Sequence, residues 1–251
     1  MKRLICLLLC GLTLLSLTGC GAPKTETLDI FAMDTYMSLV AIGDGASDVL
    51  QACSNEINTL EQRLSRTIET SSVAQLNANG SAQLDDDTAA LLQAALRYSA
   101  ETGGAFDVTI APLVELWGIT GDDPRVPAQS EIDALLPLVG SGHVHLEGTA
   151  AALDEGCAID LGGIAKGYAS DKTAELFAES GIFGGFVSLG GNVYVHGVTA
   201  EGQPWNVAIQ DPRNTEAYAC TLRLSDAFVV TSGGYQRFFT GPDGTVYQHI
   251  I

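Results

Sequence analysis

Between residues 27 and 42 apolar and polar side chains alternate, with Leu28 and Ile30 and then Met37, Leu39 and Ala41 sharing one side. A period of two is that of a half-buried strand, and the interruption at the middle makes it a strand pair. From Ser47 to Arg66 the period lengthens: Val49, Leu50, Cys53, Ile57, Leu60 and Leu64 fall three or four apart. That spacing predicts an amphipathic helix with Ser47 as its N-cap. A second helix is predicted over residues 87–102, where Leu91, Leu92, Ala95 and Leu96 share a face and Gly103-Gly104 ends it. Short helices are predicted over residues 110–117 and 130–136, a hairpin over 144–153 turning at Glu147-Gly148, a buried strand over 157–161 and a helix over 163–180. From Gly185 onward the pattern is nearly all strand, over residues 186–189, 193–195, 205–210, 219–224, 228–230, 237–239 and 246–251. Helices mixed with runs of consecutive strands predict an α+β fold, with helices packed on antiparallel sheets. The strand runs are too close together for the crossovers of a parallel sheet.

Length and charge narrow the classes. The 251 residues suffice for one large domain or two small ones, and 46% hydrophobic against 17% charged residues is the balance of a folded chain. The formal charge of −18, from 12 Lys and Arg against 30 Asp and Glu, excludes a phosphate-tracking nucleic-acid binder. It equally excludes docking on anionic lipid by charge, so attachment to a membrane needs another cause. One is visible at the N-terminus, where Met1-Lys2-Arg3 precedes an apolar run from Leu4 to Leu17. The run is too short for a comfortable membrane span and reads as a secretory signal. It closes in Leu17-Thr18-Gly19-Cys20, which resembles the bacterial lipobox. The expectation is a signal peptide over residues 1–19, a lipid on Cys20 holding the chain to the cell membrane outside the cytoplasm, a tether over 20–27 and a domain over 28–251. The chain stops at Ile251 inside an apolar run, without a turn, from which a missing C-terminal segment is expected. Beyond Cys20 only Cys53, Cys157 and Cys220 remain. An odd number with no close pair excludes a disulfide framework and a Cys-rich zinc site, and predicts three core thiols.

The strongest chemical signal is Ile159-Asp160-Leu161-Gly162-Gly163-Ile164-Ala165-Lys166-Gly167-Tyr168. An acid, two glycines and the start of a helix with a lysine one turn in can receive a phosphate on free backbone N–H groups, with Lys166 adding charge and Asp160 binding a ribose or another polar group. The spacing matches neither a Walker loop nor G-x-G-x-x-G, and a plain strand–turn–helix junction accounts for it equally well. In Gly103-Gly104-Ala105-Phe106-Asp107-Val108-Thr109, ahead of Trp117, Asp107 or Thr109 could simply cap the next helix. Two further glycine pairs, Gly190-Gly191 and Gly233-Gly234, end strands, and four such junctions in one domain suggest a shared ligand cleft. His143, His145 and His196 read as solvated, and His249, alone on an apolar strand, reads as structural.

Together these segments resemble the ApbE family. The matching pieces run in order from Met33-Asp34-Thr35, through Ser65, Ser71-Ser72-Val73 and Leu76-Asn77, to Gly103–Thr109 with Pro112-Leu113-Val114 and Leu116-Trp117-Gly118. They continue with Asp160–Tyr168, Leu189-Gly190-Gly191, residues 205–212, Thr231-Ser232-Gly233 and residues 247–251. The resemblance implies transfer of FMN from FAD, with Mg²⁺, to a Thr or Ser hydroxyl of an extracytoplasmic acceptor flavoprotein, with AMP leaving. It places FAD in a cleft between two α+β lobes. By the same matching, Met33 lines the flavin site, Ala105, Phe106, Asp107 and Thr231 hold FAD, and Asp160 and Lys166 bind the nucleotide. The Gly163 carbonyl is one metal ligand. His249 corresponds to the histidine near the reacting phosphate, which makes it the candidate general base. Asp34 departs from the usual Met-Gly-Thr, Thr67 stands where many members have an aromatic, Asn192 and Gly234 replace acids, and Gln248 replaces the first of a His pair. The family continues beyond this point with motifs that supply side-chain metal ligands. The same cleft with water as nucleophile would make an FAD pyrophosphatase, and without chemistry a flavin-binding lipoprotein.

Overall fold

The computed structural model describes residues 23–121, 123–234 and 237–249. The predicted signal peptide, the predicted lipidation site Cys20 and the first part of the predicted tether lie outside the described residues, as do Ile250 and Ile251. Six α-helices occur among the described residues: α1 (Ala46–Leu64), α2 (Ser72–Asn79), α3 (Asp86–Glu101), α4 (Ala111–Trp117), α5 (Gln129–Leu135) and α6 (Gly162–Ser180). The strands are β1 (Thr25–Ala32), β2 (Thr35–Ile42), β3 (Ser81–Gln83), β4 (Val144–Glu147), β5 (Ala150–Leu153), β6 (Gly184–Leu189), β7 (Asn192–Gly197), β8 (Trp205–Asp211), β9 (Asn214–Leu224), β10 (Ala227–Val230), β11 (Phe238–Thr240) and β12 (Val246–Gln248). No helix among them is long and apolar enough to cross a membrane.

The strand pair read from the alternating pattern is β1–β2, with Leu28 opposite Leu39 and Ile30 opposite Met37. It extends into a five-stranded sheet of order β1-β2-β6-β7-β10, antiparallel at every step. Helices α1 and α6 pack against each other and across this sheet, α1 over β1 and β2 and α6 over β6 and β7. The 3.6-residue stripe of α1 is what goes inside: Cys53, Ile57 and Leu60 lose all solvent contact. Each such aliphatic side chain contributes about 1.5–3 kcal/mol on burial. Phe177 of α6 is likewise fully buried, over Gly185 of β6, where a Cβ would lie 2.8 Å from the ring. The smaller sheet, β3-β5-β4, carries α2. Asp87 pins three helices together, accepting from Tyr168 Oη of α6 at 2.7 Å and Arg63 Nη1 of α1 at 2.8 Å. The α+β class with antiparallel sheets is the one the sequence predicts.

Several local expectations are corrected. Residues 157–161 alternate between buried and half-buried positions but pair with no strand among the described residues. A side chain takes the place of the missing ladder: Ile159 N–H donates to Asn77 Oδ1 at 2.8 Å and its carbonyl accepts from Asn77 Nδ2 at 2.9 Å. Asp160 N–H donates to the Val108 carbonyl at 2.7 Å. Ser47 lies inside α1, whose N-cap is the left-handed Gly45. Helix α2, absent from the sequence reading, starts where the Ser71 hydroxyl accepts from Ala74 N–H. Cys53 and Cys157 are core thiols, but Cys220 is exposed on the β8–β9 ribbon. His196 is mostly shielded, 17% exposed at its side chain, with its ring near Tyr194 Oη at 3.2 Å and Phe177 packed on its edge.

Candidate active site

The site is built on the start of α6. Asn77 fixes the approach of the chain at Ile159, and the next residue turns it into the helix: Asp160 Oδ1 accepts from Gly162 N–H at 2.7 Å. Its other oxygen accepts from Arg66 Nε at 2.8 Å, and the rest of that guanidinium reaches Glu115 and Thr120 at 3.1 Å each. Arg66 thereby joins the end of α4 to the head of α6. Gly162 and Gly163 are exposed at that head. The first N–H groups of a helix carry the positive end of its dipole and suit an anion. Gly162 N–H is met by Asp160 and those of Ile164 and Ala165 by the Leu161 carbonyl, so Gly163 N–H is the one without a partner among the described hydrogen bonds. Gly163 has a steric reason to be glycine, because a Cβ there would sit 3.1 Å from the Phe106 ring.

Phe106 N–H donates to Thr102 Oγ1 at 3.1 Å, and the next residue, Asp107, is anchored by its side chain. Asp107 Oδ1 accepts from Thr109 N–H at 2.9 Å and from the Thr109 hydroxyl at 2.6 Å. Its Oδ2 accepts from Ser99 Oγ at 3.1 Å and Ser141 N–H at 2.9 Å. Four donors use the acceptor capacity of a carboxylate. Asp107 thus caps the 3-10 turn Val108–Ile110 and ties α3 and the Ser141 loop to it, leaving the exposed Ala105 and half-buried Phe106 as the surface this segment presents.

The opposite side is a rim. Met33 and Asp34 form the β1–β2 turn, both in the left-handed region at φ 48° and 56°, and Met33 N–H donates to Glu61 Oε1 of α1 at 2.7 Å. Arg237 Nη2 donates to the Asp34 carbonyl at 2.9 Å and to its carboxylate. His249 N–H donates to the Arg237 carbonyl at 3.1 Å. Lys166, one turn into α6, faces this pair: burial and then the Arg237 charge lower its pKa, and Asp34 partly opposes them. Thr231 N–H donates to the Gly191 carbonyl at 2.9 Å, beside Gly190, whose α-carbon abuts Thr35. Hairpin β11–β12 is seated on α4 by aromatic rings, Tyr247 lying 5.3 Å from both Trp117 and Phe239.

Asp160, Gly163, Lys166 and the Phe106-Asp107 segment therefore belong to one helix start, and Met33, Thr231 and His249 to the rim built around Asp34 and Arg237, whose charges act on Lys166. Arg66, Arg237 and Asn77 have no role in the sequence reading, although Asn77 stands in a quoted motif. One available signal was scarcity, since only 12 residues of the whole chain are Lys or Arg and two of them are spent here beside Lys166. The chemistry on offer is anion binding at the α6 start and at Lys166, with an imidazole nearby. For Mg²⁺ the fit fails: among the described residues no three His, Cys, Asp or Glu side chains form a group that could hold a metal. The Gly163 carbonyl alone cannot satisfy an octahedral ion.

Residues 33–251 match the model of the ApbE family. The FAD:protein FMN transferase of Treponema pallidum is 34% identical over 229 residues, which cover 82% of this chain and 63% of that protein. The chain thus spans somewhat under two thirds of that relative's length. The transferase of the same name from Vibrio cholerae serotype O1 is 30% identical, over 95% of this chain and 75% of its own. Among solved structures, the ApbE protein of Thermotoga maritima superposes with a TM-score of 0.85 at 32% identity, covering 91% of this chain and 76% of that one. The apo flavinyl transferase ApbE of Pseudomonas stutzeri gives 0.80 at 27%, covering 92% and 75%. Sequence and fold agree over nearly the whole described chain, and the chain belongs to the ApbE family.

Proposed function

We propose that this protein transfers FMN from FAD to a Ser or Thr hydroxyl of an acceptor flavoprotein. The observation that carries the reading is the convergence at one helix start of Lys166, the exposed Gly162-Gly163 and the Phe106 face, with His249 bonded to Arg237, whose charge acts on Lys166. The acceptor oxygen attacks the FMN phosphorus, the bond from that phosphorus to the bridging oxygen breaks, and AMP departs with that oxygen. His249 takes the hydroxyl proton. Lys166 and the Gly163 N–H at the start of α6 face the charge that builds on the pyrophosphate. Phe106 offers its ring as an apolar wall for FAD, Asp107 anchors the segment that carries it, and Met33 and Thr231 border the flavin end. Asp160 holds the helix start through Gly162 and contacts the nucleotide with what its ion pair to Arg66 leaves free.

Mg²⁺, when bound, would supply positive charge against the pyrophosphate, with the Gly163 carbonyl as one of its donors. The described residues do not complete a site for it, so no step is assigned to it. The proposal also includes a lipid on Cys20 and an acceptor outside the cytoplasm; a Cys20→Ala chain recovered from membranes as fully as the wild type would remove that part.

The test is a product balance. With FAD, Mg²⁺ and an acceptor domain, AMP should appear in step with loss of FAD while free FMN stays low, and omission of the acceptor should halt both. Equal FMN and AMP without acceptor would make the protein an FAD pyrophosphatase. Tight FAD binding without AMP would make it a flavin-binding protein.

A further inference from the structure

The Met33-Asp34 turn carries two non-glycine residues in the left-handed region, at φ 48° and 56°. That conformation is unfavourable for a side chain and persists where the surroundings hold it in place, often at functional sites. Met33 is held by Glu61. Asp34 is held by Arg237, whose guanidinium bonds both its carbonyl, at 2.9 Å, and its carboxylate across 203 residues of sequence. The pair is open to solvent, with side-chain exposures of 40% for Arg237 and 66% for Asp34. An exposed pair of this kind adds little to stability, so stability is a weak reason for strain in the turn.

The backbone of Arg237 supplies a better reason. Its carbonyl accepts from His249 N–H at 3.1 Å and faces His249 Nδ1 at 3.4 Å. The residue gripped by Asp34 is thus the residue that orients the imidazole. Asp34 also stands among two cations, for Lys166 feels Arg237 as a repelling charge and Asp34 as an attracting one. Without Asp34, Arg237 would face Lys166 uncompensated, and the base of hairpin β11–β12, where the Arg237 carbonyl meets His249, would lose its tie to the β1–β2 turn.

We propose that Asp34 and Arg237 form a latch that positions His249, holding it as the Nδ1–H tautomer with Nε2 free to take the acceptor's proton. Both are positioning residues, and the inference rests on the reading of His249 as the base. A histidine whose Nδ1–H is spent on a carbonyl can act only through Nε2, so the latch selects the reactive nitrogen as well as its place.

Asp34→Gly is the discriminating variant, because glycine adopts the turn without strain and should leave thermal stability unchanged or higher. The latch predicts a fall in kcat on the order of tenfold with the KM for FAD within about twofold, since misplacement of a reacting group acts on the chemical step. It also predicts that imidazole ¹⁵N spectra of His249 change from a single Nδ1–H tautomer in the wild type to a mixture in Asp34→Gly. The swap Asp34→Arg with Arg237→Asp should recover part of the kcat lost in each single variant. Unchanged kcat and an unchanged tautomer in Asp34→Gly would overturn the latch. If the wild type transfers no FMN, the functional reading fails, and the spectra still decide whether Asp34 sets the tautomer.

Discussion

The two walls of the site are made differently. The inner wall, from Asn77 through Asp107 to Asp160, consists of buried or half-buried backbone whose hydrogen-bonding groups are met by side chains, and it ends at the exposed glycines that start α6. The rim, with Asp34, Arg237, Thr231 and His249, is tied by exposed or partly exposed contacts between segments far apart in the chain. The difference teaches a division of labour. The inner wall spends its polar side chains on holding shape, which is why Asp107, a carboxylate at the site, has no oxygen left over. The rim contributes little to stability and keeps the groups that can move a proton or adjust to a partner. Substitutions in the inner wall should therefore show first in unfolding, and substitutions at the rim first in kinetics.

The largest effect should come from His249→Ala. Loss of a general base lowers the rate by roughly 10²–10⁴-fold, and on this account the unfolding midpoint stays close to that of the wild type. A variant that unfolds early would place His249 in the structural wall instead.

Next is Asn77→Ala, which leaves the N–H and carbonyl of buried Ile159 without partners. Each such group costs about 1–3 kcal/mol, so urea denaturation should register a loss of about 2–6 kcal/mol with FAD affinity affected only through Asp160. A neutral result would mean that the segment finds another partner and that the inner wall is softer than its hydrogen bonds imply.

Lys166→Met separates the two properties in one residue. Charge-assisted hydrogen bonds contribute about 1.5–3 kcal/mol, so FAD should bind roughly ten- to a hundredfold more weakly by equilibrium titration. The same change should raise the melting temperature. Burial and Arg237 hold the folded-state pKa of Lys166 below the unfolded value, so below that folded pKa the charged form is a burden on the folded state. In the window between the folded pKa and the ordinary lysine value of 10.5 the unfolded chain binds more protons, and wild-type stability rises with pH. The advantage of the methionine variant should therefore shrink as pH climbs through that window; an advantage that grows would reverse the assignment.

The smallest effect is expected away from both walls. Arg223 on β9 meets only Gln203 Oε1 among the described hydrogen bonds, at an exposed position. Arg223→Ala should shift stability by no more than about 0.5 kcal/mol and leave transfer unchanged. A large loss of transfer with FAD affinity intact would show that the β8–β9 ribbon meets the acceptor.

How far the sequence reaches follows the range of the interactions. Helices α1 and α6 and the hairpins β1–β2 and β4–β5 rest on local periodicity, and their residues are legible one stretch at a time. The glycine-and-lysine turn at Asp160–Lys166 is legible for the same reason. Residues 157–161 were misread as a strand because an apolar extended run looks alike whether it pairs with a strand or with Asn77, which is 82 residues away. Helix α2 is two turns long with a polar exterior, and its clearest signal is the Ser71 cap. Arg66 and Arg237 take their roles from partners 94 and 203 residues distant, which no local pattern encodes. The exposure of Cys220 and the shielding of His196 likewise depend on how the β8–β9 ribbon and α6 lie, not on their neighbours in sequence.

The central claim is that FMN leaves FAD for a hydroxyl on another protein. Intact-mass and peptide analysis of an acceptor domain, after incubation with this protein, FAD and Mg²⁺ and then denaturation, reads that bond directly. The account predicts a mass gain of one phosphoester-linked FMN on a single Ser or Thr, absent when His249→Ala replaces the wild type. An acceptor of unchanged mass alongside free FMN and AMP would contradict it.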